Sequence, residues 1–395
     1  MSDRPLVPDW LANPDVVLVR DVATAVIRLD GVENLDSFTL PYPAEAQRAL
    51  DAMVLACLRT AARPPSGLPE LIRWCRTRPL GSWPLDRIPE RLFAAEDRLI
   101  DAESGEPTQL CHELAIKGVG DSTGRQYDRL VIHEAMRACR DASSPESYTA
   151  FRRLLVTRPV LTEAEWSELS NDLFLDPVWF LIEEIYAPAP AGCRKDGAYL
   201  CCGRCLTLLT PLVEGGWWCE RDQCRYRGAA PHGRLLEAAE VGELRQLRRP
   251  LRQFVTGPGR AEVDLERELR KLGLTVEMWP GYDAYDLRIT FPDSHVWAVD
   301  VKDWAHPGFL GRAAEAVRPD PPYDEACWVV PRFRVLIRRD YLDVFAQKRP
   351  AHAAGLRLLT DDQLIEAARA RLCGERGPGA RIAPPATPEN GADHA

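Results

Sequence analysis

The chain has 395 residues, of which 46% are apolar and 28% are charged, and this length gives an expectation of roughly two or three globular domains. This composition excludes a collagenous, a coiled-coil and a fully disordered protein. No apolar run approaches the roughly 18 residues of a membrane span. The first residues lack the basic start and the apolar stretch of a signal peptide, so we expect a cytoplasmic protein without a membrane partner.

The formal net charge of −9 is unevenly distributed along the chain. Residues 1–190 carry 20 Lys and Arg against 30 Asp and Glu, whereas the remaining residues carry 30 against 29. An acidic surface repels nucleic acid and favours protein docking, while the other half can still contact phosphate.

The first 190 residues carry mostly helical patterns. Residues 16–19 and 24–29 are β-prone and predict two short strands. Apolar spacings of three and four then predict a series of helices. These are 44–60, 68–76, 89–100, 125–140, 145–156 and 162–185. The last one opens with a capping box, Thr162 followed by Glu165. We therefore expect 1–190 to be a mostly helical, partner-binding region.

Six of the twelve cysteines fall within 193–224, after a proline-rich linker at 187–191. Two cysteine pairs separated by thirteen residues predict a zinc ribbon over 191–230. The predicted Zn²⁺ ligands are Cys202, Cys205, Cys219 and Cys224. Cys201 is an alternative to Cys202, and six reduced, buried cysteines without metal are the other interpretation. Four protein ligands leave no open position for water, so the predicted zinc is structural.

A basic segment follows the cysteines. Residues 231–249 predict a helix, and we expect 231–256 to form a basic helical linker. Residues 244–260 hold five arginines and no acid, which suits phosphate contacts but also an ordinary solvated surface. The candidates for nucleic-acid binding are Arg245, Arg248, Arg249 and Arg252.

The next segment predicts a helix and then three strands. The helix covers 261–272, and the strands are 274–278, 286–289 and 296–301. Further on, 327–331 predicts a fourth core strand, and a capping box at Thr360 and Gln363 begins a helix through Cys373. Residues 375–395 predict a disordered tail.

Chemistry-bearing residues recur in these strands. Asp300 and Lys302 are two apart and point to the same face of a strand. If the last two strands pair as a hairpin, Asp286 approaches Asp300. Glu262 faces this point from the helix, and Glu266, one turn on, is the alternative. Converging carboxylates suit Mg²⁺ or Mn²⁺, and the lysine can stabilise developing charge.

This order of elements and residues resembles the PD-(D/E)XK nuclease superfamily over about 257–373. Glu262 matches its helical acid, Asp286 its strand acid, and Asp300 with Lys302 its D-x-K pair. Tyr285 stands where that family usually has proline. The resemblance implies a catalytic set of Glu262, Asp286, Asp300 and Lys302, with metal held by the two aspartates.

The whole arrangement, ending in Asp-Val-Lys-Asp-Trp304, resembles the restriction-endonuclease-like component of prokaryotic Piwi-linked (pPIWI-RE) islands. That resemblance implies a Piwi-like protein and a DinG-type helicase as partners, DNA as substrate, and defence against invading DNA. The sequence does not decide whether the substrate is DNA or RNA, or whether the product is a nick or a double-strand break. The alternative function is a catalytically silent DNA-binding or scaffold subunit.

We therefore expect a multidomain protein. It has a mostly α N-terminal region, a zinc ribbon and a C-terminal α/β restriction-endonuclease-like domain with a mixed central sheet. The predicted divisions are 1–190, 191–230, 231–256, 257–374 and 375–395.

Overall fold

A computed structural model describes residues 13–30, 40–86, 93–102, 105–116, 124–226 and 228–374. The chain divides into two compact units. The first unit is Met1–Gly257 with Trp304–Phe309, and the second is Pro258–Asp303 with Leu310–Ala395. In the described ranges, no helix is long and apolar enough to cross a membrane. The predicted tail, 375–395, lies outside the described residues.

The first unit is mainly helical. Its helices are α1 (Pro14–Asp30), α2 (Ala44–Arg59), α3 (Leu68–Thr77), α4 (Gln109–Ile116), α5 (Gly124–Asp141), α6 (Pro145–Thr157), α7 (Glu163–Leu169), α8 (Trp179–Ile185) and α9 (Asp222–Arg225). The apolar sides of α1 to α4 form a core that includes Val19, Met53 and Leu71, and the segment Trp304–Phe309 packs into it through Phe309.

The two short strands expected near the N-terminus are wrong, because α1 covers both stretches. Val16, Val19 and Val26 are buried at helical spacing, so packing against the core outweighs the β-preference of valine. The helix expected at 89–100 begins outside the described residues, and its described part, 93–100, is not helical.

The single helix expected over 162–185 is also interrupted. Its capping box is present, since the Thr162 hydroxyl accepts from the Glu165 amide at 3.2 Å. However, α7 ends at Leu169, and a 3₁₀ turn at Leu173–Val178 precedes α8. Pro177 lies inside that turn and has no amide hydrogen to continue an α-helix.

Three small sheets complete the first unit. Its strands are β1 (Val160–Leu161), β2 (Tyr186–Pro188), β3 (Arg194–Lys195), β4 (Ala198–Cys202), β5 (Thr210–Pro211), β6 (Trp217–Trp218), β7 (His232–Glu237) and β8 (Arg245–Leu247). The sheets have the orders β1-β8-β2, β3-β4-β7 and β5-β6.

Two expectations fail in these sheets. The linker expected at 187–191 begins within β2, and the helix expected at 231–249 is replaced by β7 and β8. The reason is a distant partner, since β7 pairs with β4. A Cβ on Gly233 would lie 2.9 Å from the Gly203 Cα, so this pairing needs glycine at both positions.

The second unit is built on a mixed sheet, as expected, and this sheet has five strands rather than the four that were predicted. Its elements are α10 (Gly257–Lys271), β9 (Thr275–Met278), β10 (Leu287–Thr290), β11 (Val296–Val301), α11 (Pro307–Arg312, shared with the first unit), β12 (Glu325–Val330), α12 (Arg332–Ile337), α13 (Tyr341–Lys348), β13 (Leu358–Thr360) and α14 (Asp361–Leu372). The sheet order is β13-β12-β11-β10-β9. The strands β9, β10 and β11 are antiparallel, whereas β11, β12 and β13 are parallel. The expected capping box of α14 is present at Thr360 and Gln363.

Candidate active site and metal centre

The antiparallel pairing of β10 with β11 brings Asp286 to the end of β11. Leu287 pairs with Val299, so Asp286 stands one residue before the paired positions. Its backbone amide donates to the Val299 carbonyl at 3.1 Å. Its carboxylate accepts from the Val301 amide at 2.6 Å. The side chain is thereby fixed beside the residues that carry the D-x-K pattern.

Asp300 lies in β11, and Lys302, the residue directly after this strand, lies on the same side, as their spacing predicts. The Lys302 Nζ lies 3.0 Å from the Asp300 Oδ2. The Lys302 amide donates to the Val329 carbonyl of the parallel strand β12 at 2.7 Å. The strand end that presents both charges is therefore held on both sides.

Glu262 is buried in α10, with 3% of its surface exposed. The Trp279 indole Nε1 donates to its Oε2 at 2.6 Å. Trp279 itself is buried and has a left-handed backbone, with φ of 52°. This contact fixes one oxygen of a carboxylate that has very little access to water.

The charges of these four side chains influence one another. Burial raises the pKa of Asp286 well above its usual value, and the charges of Glu262 and Asp300 raise it further. Burial alone would lower the pKa of Lys302, but Asp300, Asp286 and Glu262 together raise it. The three carboxylates and one ammonium group leave a net negative charge in this part of the site, and carboxylate oxygens are the ligands that hard divalent cations prefer.

The structure distinguishes the two helical acids. Glu262 acts on the charge state of both Asp286 and Lys302. Glu266 is equally buried but forms an ion pair with Arg270, with 3.0 Å between Nη2 and Oε1. The geometry therefore favours Glu262 over Glu266 as the member of the cluster.

Two tryptophans at this site were not found by sequence reasoning. Trp328 is the register partner of Asp300, and its ring lies 5.2 Å from the Lys302 Nζ, within cation–π range. Trp328 could have been found from the sequence, because it lies on the predicted fourth core strand, which pairs with β11. The contact of Trp279 had no sequence signal, because a left-handed turn at a bulky residue cannot be read from residue types.

Four cysteines form a second cluster in the first unit. The Sγ atoms of Cys202, Cys205, Cys219 and Cys224 all lie within 4.8 Å of one another, and all four residues are buried. Cys201 is buried outside this group, so the geometry selects Cys202. Hydrogen bonds from the other three thiols lower the pKa of Cys202 far below its usual value. Four buried sulfurs this close together can hold a metal such as zinc.

Groups around the four sulfurs support the same interpretation. The Arg204 amide donates to the Cys202 Sγ and the Arg221 amide to the Cys219 Sγ, each at 3.5 Å. The buried Thr207 hydroxyl lies 3.1 Å from the Cys205 Sγ. Thr207 was missed by sequence reasoning, although it directly follows the first cysteine pair by two residues. Such outer groups orient ligands and partly neutralise their charge.

The arginines proposed for phosphate contacts are opposed by acids from other segments. Arg252 forms a two-pronged pair with Glu220, at 2.7 and 3.0 Å. Arg249 lies 2.7 Å from Glu106. The other two arginines, Arg245 and Arg248, also form contacts within the protein.

Arg245 pairs with Glu243 at 2.5 Å, and Arg248 donates to the Glu184 carbonyl at 3.0 Å. The premise of an unopposed basic run is therefore wrong, because the local sequence does not show acids that the fold brings in. Nucleic-acid binding by these residues stays a prediction.

These features define the class of protein. It is a multidomain chain with a helical N-terminal region, a buried four-cysteine cluster, and a mixed-sheet unit that gathers three carboxylates and a lysine. Comparison with protein families narrows this class. Residues 18–162 match the family described as pPIWI_RE three-gene island domain Y. Residues 259–376 match the family described as REase associating with pPIWI_RE. No match was found among curated proteins or among solved structures.

The two matches support a component of a pPIWI_RE island, which is a defence system with a restriction-endonuclease-associated domain. The candidate carboxylate cluster lies within the second match. The first match covers most of the acidic region 1–190, which was predicted to be mostly helical.

Proposed function

We propose that this chain is a divalent-metal-dependent DNA endonuclease of a prokaryotic defence island, working with a Piwi-like protein and a DinG-type helicase. The observation that carries the proposal is the convergence of Glu262, Asp286 and Asp300 with Lys302 inside the REase-associated segment. The order of helix and strands in that unit supports a restriction-endonuclease-like fold.

The donor set fits Mg²⁺ or Mn²⁺. Asp286 and Asp300 would hold the ion, which when bound lowers the pKa of a water and neutralises charge on the phosphate. Glu262 supplies a further negative charge, and its position is fixed by Trp279. Lys302 remains protonated beside Asp300 and can donate to a phosphate oxygen as negative charge develops there.

Plasmid cleavage with Mg²⁺ or Mn²⁺, with and without the partner proteins, tests this function. We expect Asp300→Asn to abolish cleavage while DNA binding stays largely intact, because affinity comes mainly from basic and backbone groups. Lys302→Met should lower the rate by about a hundredfold or more. The matched control is Asp264→Asn, an exposed carboxylate on the same helix as Glu262.

Equal cleavage by wild type and Asp300→Asn would assign the activity to a contaminant or to another site. The chain would then be a catalytically silent DNA-binding or scaffold subunit. A second matched pair tests the helical acid. Glu262→Gln should lose cleavage, whereas Glu266→Gln should retain it, because Glu266 is bound to Arg270.

For the cysteine cluster we propose a structural Zn²⁺ site. The four sulfurs are buried and close enough to surround one ion, and all four positions would be filled by protein.

A further inference from the structure

The first unit exposes large apolar side chains on one short stretch of chain. Leu173, Phe174 and Phe180 have exposed fractions of 79%, 57% and 54%. Single exposed apolar residues are normal, but a group of them within eight residues marks an interaction surface. We call these three residues, with Asp176 and Glu183, the phenylalanine face.

The residues of the phenylalanine face lie on two consecutive helical elements. Leu173, Phe174 and Asp176 are in the 3₁₀ turn Leu173–Val178, and Phe180 and Glu183 are in α8. Other residues of these two elements are buried and anchor them, including Val178 and Ile182. The exposed aromatic rings are therefore presented on a supported element rather than on a loose loop.

The stretch of chain that carries this face is acidic in sequence, although the fold brings arginines to part of it, as where Arg248 donates to the Glu184 carbonyl. Residues 159–193 contain seven Asp and Glu and no Lys, Arg or His. Some of these acids are neutralised internally, as when Glu165 pairs with Arg234 at 2.8 Å. Asp176 has no side-chain partner among the described residues. Glu183 accepts only from the Trp179 indole, at 3.1 Å. An apolar face with unneutralised acids results.

We propose that the phenylalanine face docks another protein of the same island, through a surface that presents Lys or Arg around apolar side chains. Nucleic acid and the anionic membrane surface are repelled by the acids. A second copy in a twofold contact through this face would bring Asp176 and Glu183 of both copies into one interface, which is unfavourable because their charges have the same sign. A basic and apolar protein surface satisfies both the rings and the carboxylates. The docking proposal rests on the proposed function only in assuming that the partner is encoded by the same island.

The test uses the full chain and the purified products of the other genes of the same island, with binding measured by biolayer interferometry at low and high salt. Phe174→Ala with Phe180→Ala should weaken binding to one of those proteins by at least about tenfold, as loss of buried aromatic anchors does. Asp176→Lys with Glu183→Lys should slow association, and the effect should shrink at high salt. Leu55→Ala with Leu58→Ala is the matched control, since both leucines are exposed on α2, at 60% and 65%.

All variants should keep the wild-type unfolding temperature and metal content, because the changed side chains are exposed. The proposal would be overturned if the double phenylalanine variant and the double acid variant bound the island protein as the wild type does. It would also be overturned if the wild type bound none of the island proteins. Self-association of the wild type that the phenylalanine variant abolishes would also overturn it. If partner binding depends on the phenylalanine face but the chain has no nuclease activity, the docking proposal is supported and the proposed function is refuted.

Discussion

The Trp279 indole donates to Glu262 at 2.6 Å, and the tryptophan reaches this position through a left-handed backbone. Such a conformation at a bulky residue costs on the order of 1–3 kcal/mol and persists where surrounding contacts enforce it. Tyr282 and Asp283 in the same turn also have positive φ. The turn between β9 and β10 thus holds an indole against a buried carboxylate of the candidate site.

We expect Trp279→Phe to lower the free energy of unfolding by about 1–3 kcal/mol, because a buried carboxylate oxygen loses its donor. It should also slow DNA cleavage without weakening DNA binding, since the contact that positions one oxygen of Glu262 would be lost. Urea denaturation and the cleavage assay measure the two effects. The control is Trp297→Phe, because the Trp297 indole nitrogen is buried without a partner in the described part of the chain. Equal losses in both variants would show that ring size matters and the hydrogen bond does not.

A second prediction concerns the like charges around Asp286. Its pKa is raised by burial, Glu262 and Asp300, so without a cation the folded protein should lose stability as pH rises from the unfolded value of 3.8 through the raised folded value. Asp286→Asn removes this charge and should raise the unfolding free energy of the metal-free protein at pH 7.

The same variant should lose stabilisation by metal. In the wild type, Mn²⁺ at about 100 times its Kd should add about 2.7 kcal/mol, because only the folded site binds it. Thermal unfolding with and without MnCl₂ measures this, with Asp264→Asn as the control that should behave as the wild type. Equal stabilisation of Asp286→Asn and wild type would place the metal elsewhere.

The sequence was sufficient where the chemistry lies on adjacent strands. The spacing of Asp300 and Lys302 predicts that they share a face, and the short connection from Asp286 predicts a hairpin, which the structure contains. It was insufficient wherever a distant segment supplied the partner. Glu220 opposes Arg252 from 32 positions away, and β7 is a strand because of β4. The strand prediction for the valines of α1 was wrong for a related reason. The β-preference of valine favoured a strand, but burial of these side chains in the core favours the helix.

His306 provides a prediction on pH within the first unit. Its Nδ1 lies 2.8 Å from Glu113 and its Nε2 3.3 Å from Asp97. Burial would lower the pKa of His306, but the two carboxylates raise it to about 9. Glu113 also accepts from the Ala305 amide at 2.6 Å, so this group anchors the segment that follows Asp303.

Because the folded pKa lies above the unfolded value of 6.5, this stabilisation is complete below pH 6.5 and is lost as pH rises through about 9. The loss should be on the order of 3 kcal/mol for a buried imidazolium. His306→Gln should be less stable at pH 6 and should lack this decline. The unfolding midpoint measured from pH 6 to 10 checks it, with the exposed His352→Gln as control. A decline of the same size in His306→Gln would assign the titration to another group.

The final prediction concerns the four cysteines. Purified protein should contain about one zinc per chain, because structural sites bind with apparent free energies of about 10–16 kcal/mol near pH 7. Cys219→Ser should lose the zinc and destabilise the first unit, because three buried sulfurs would remain without their ion. Cys201→Ser is the matched control, since Cys201 is equally buried and adjacent to Cys202 but lies outside the cluster. Elemental analysis and thermal unfolding measure both effects. A folded wild type without zinc would refute the site, and zinc loss in Cys201→Ser as complete as in Cys219→Ser would show that Cys201 is a ligand.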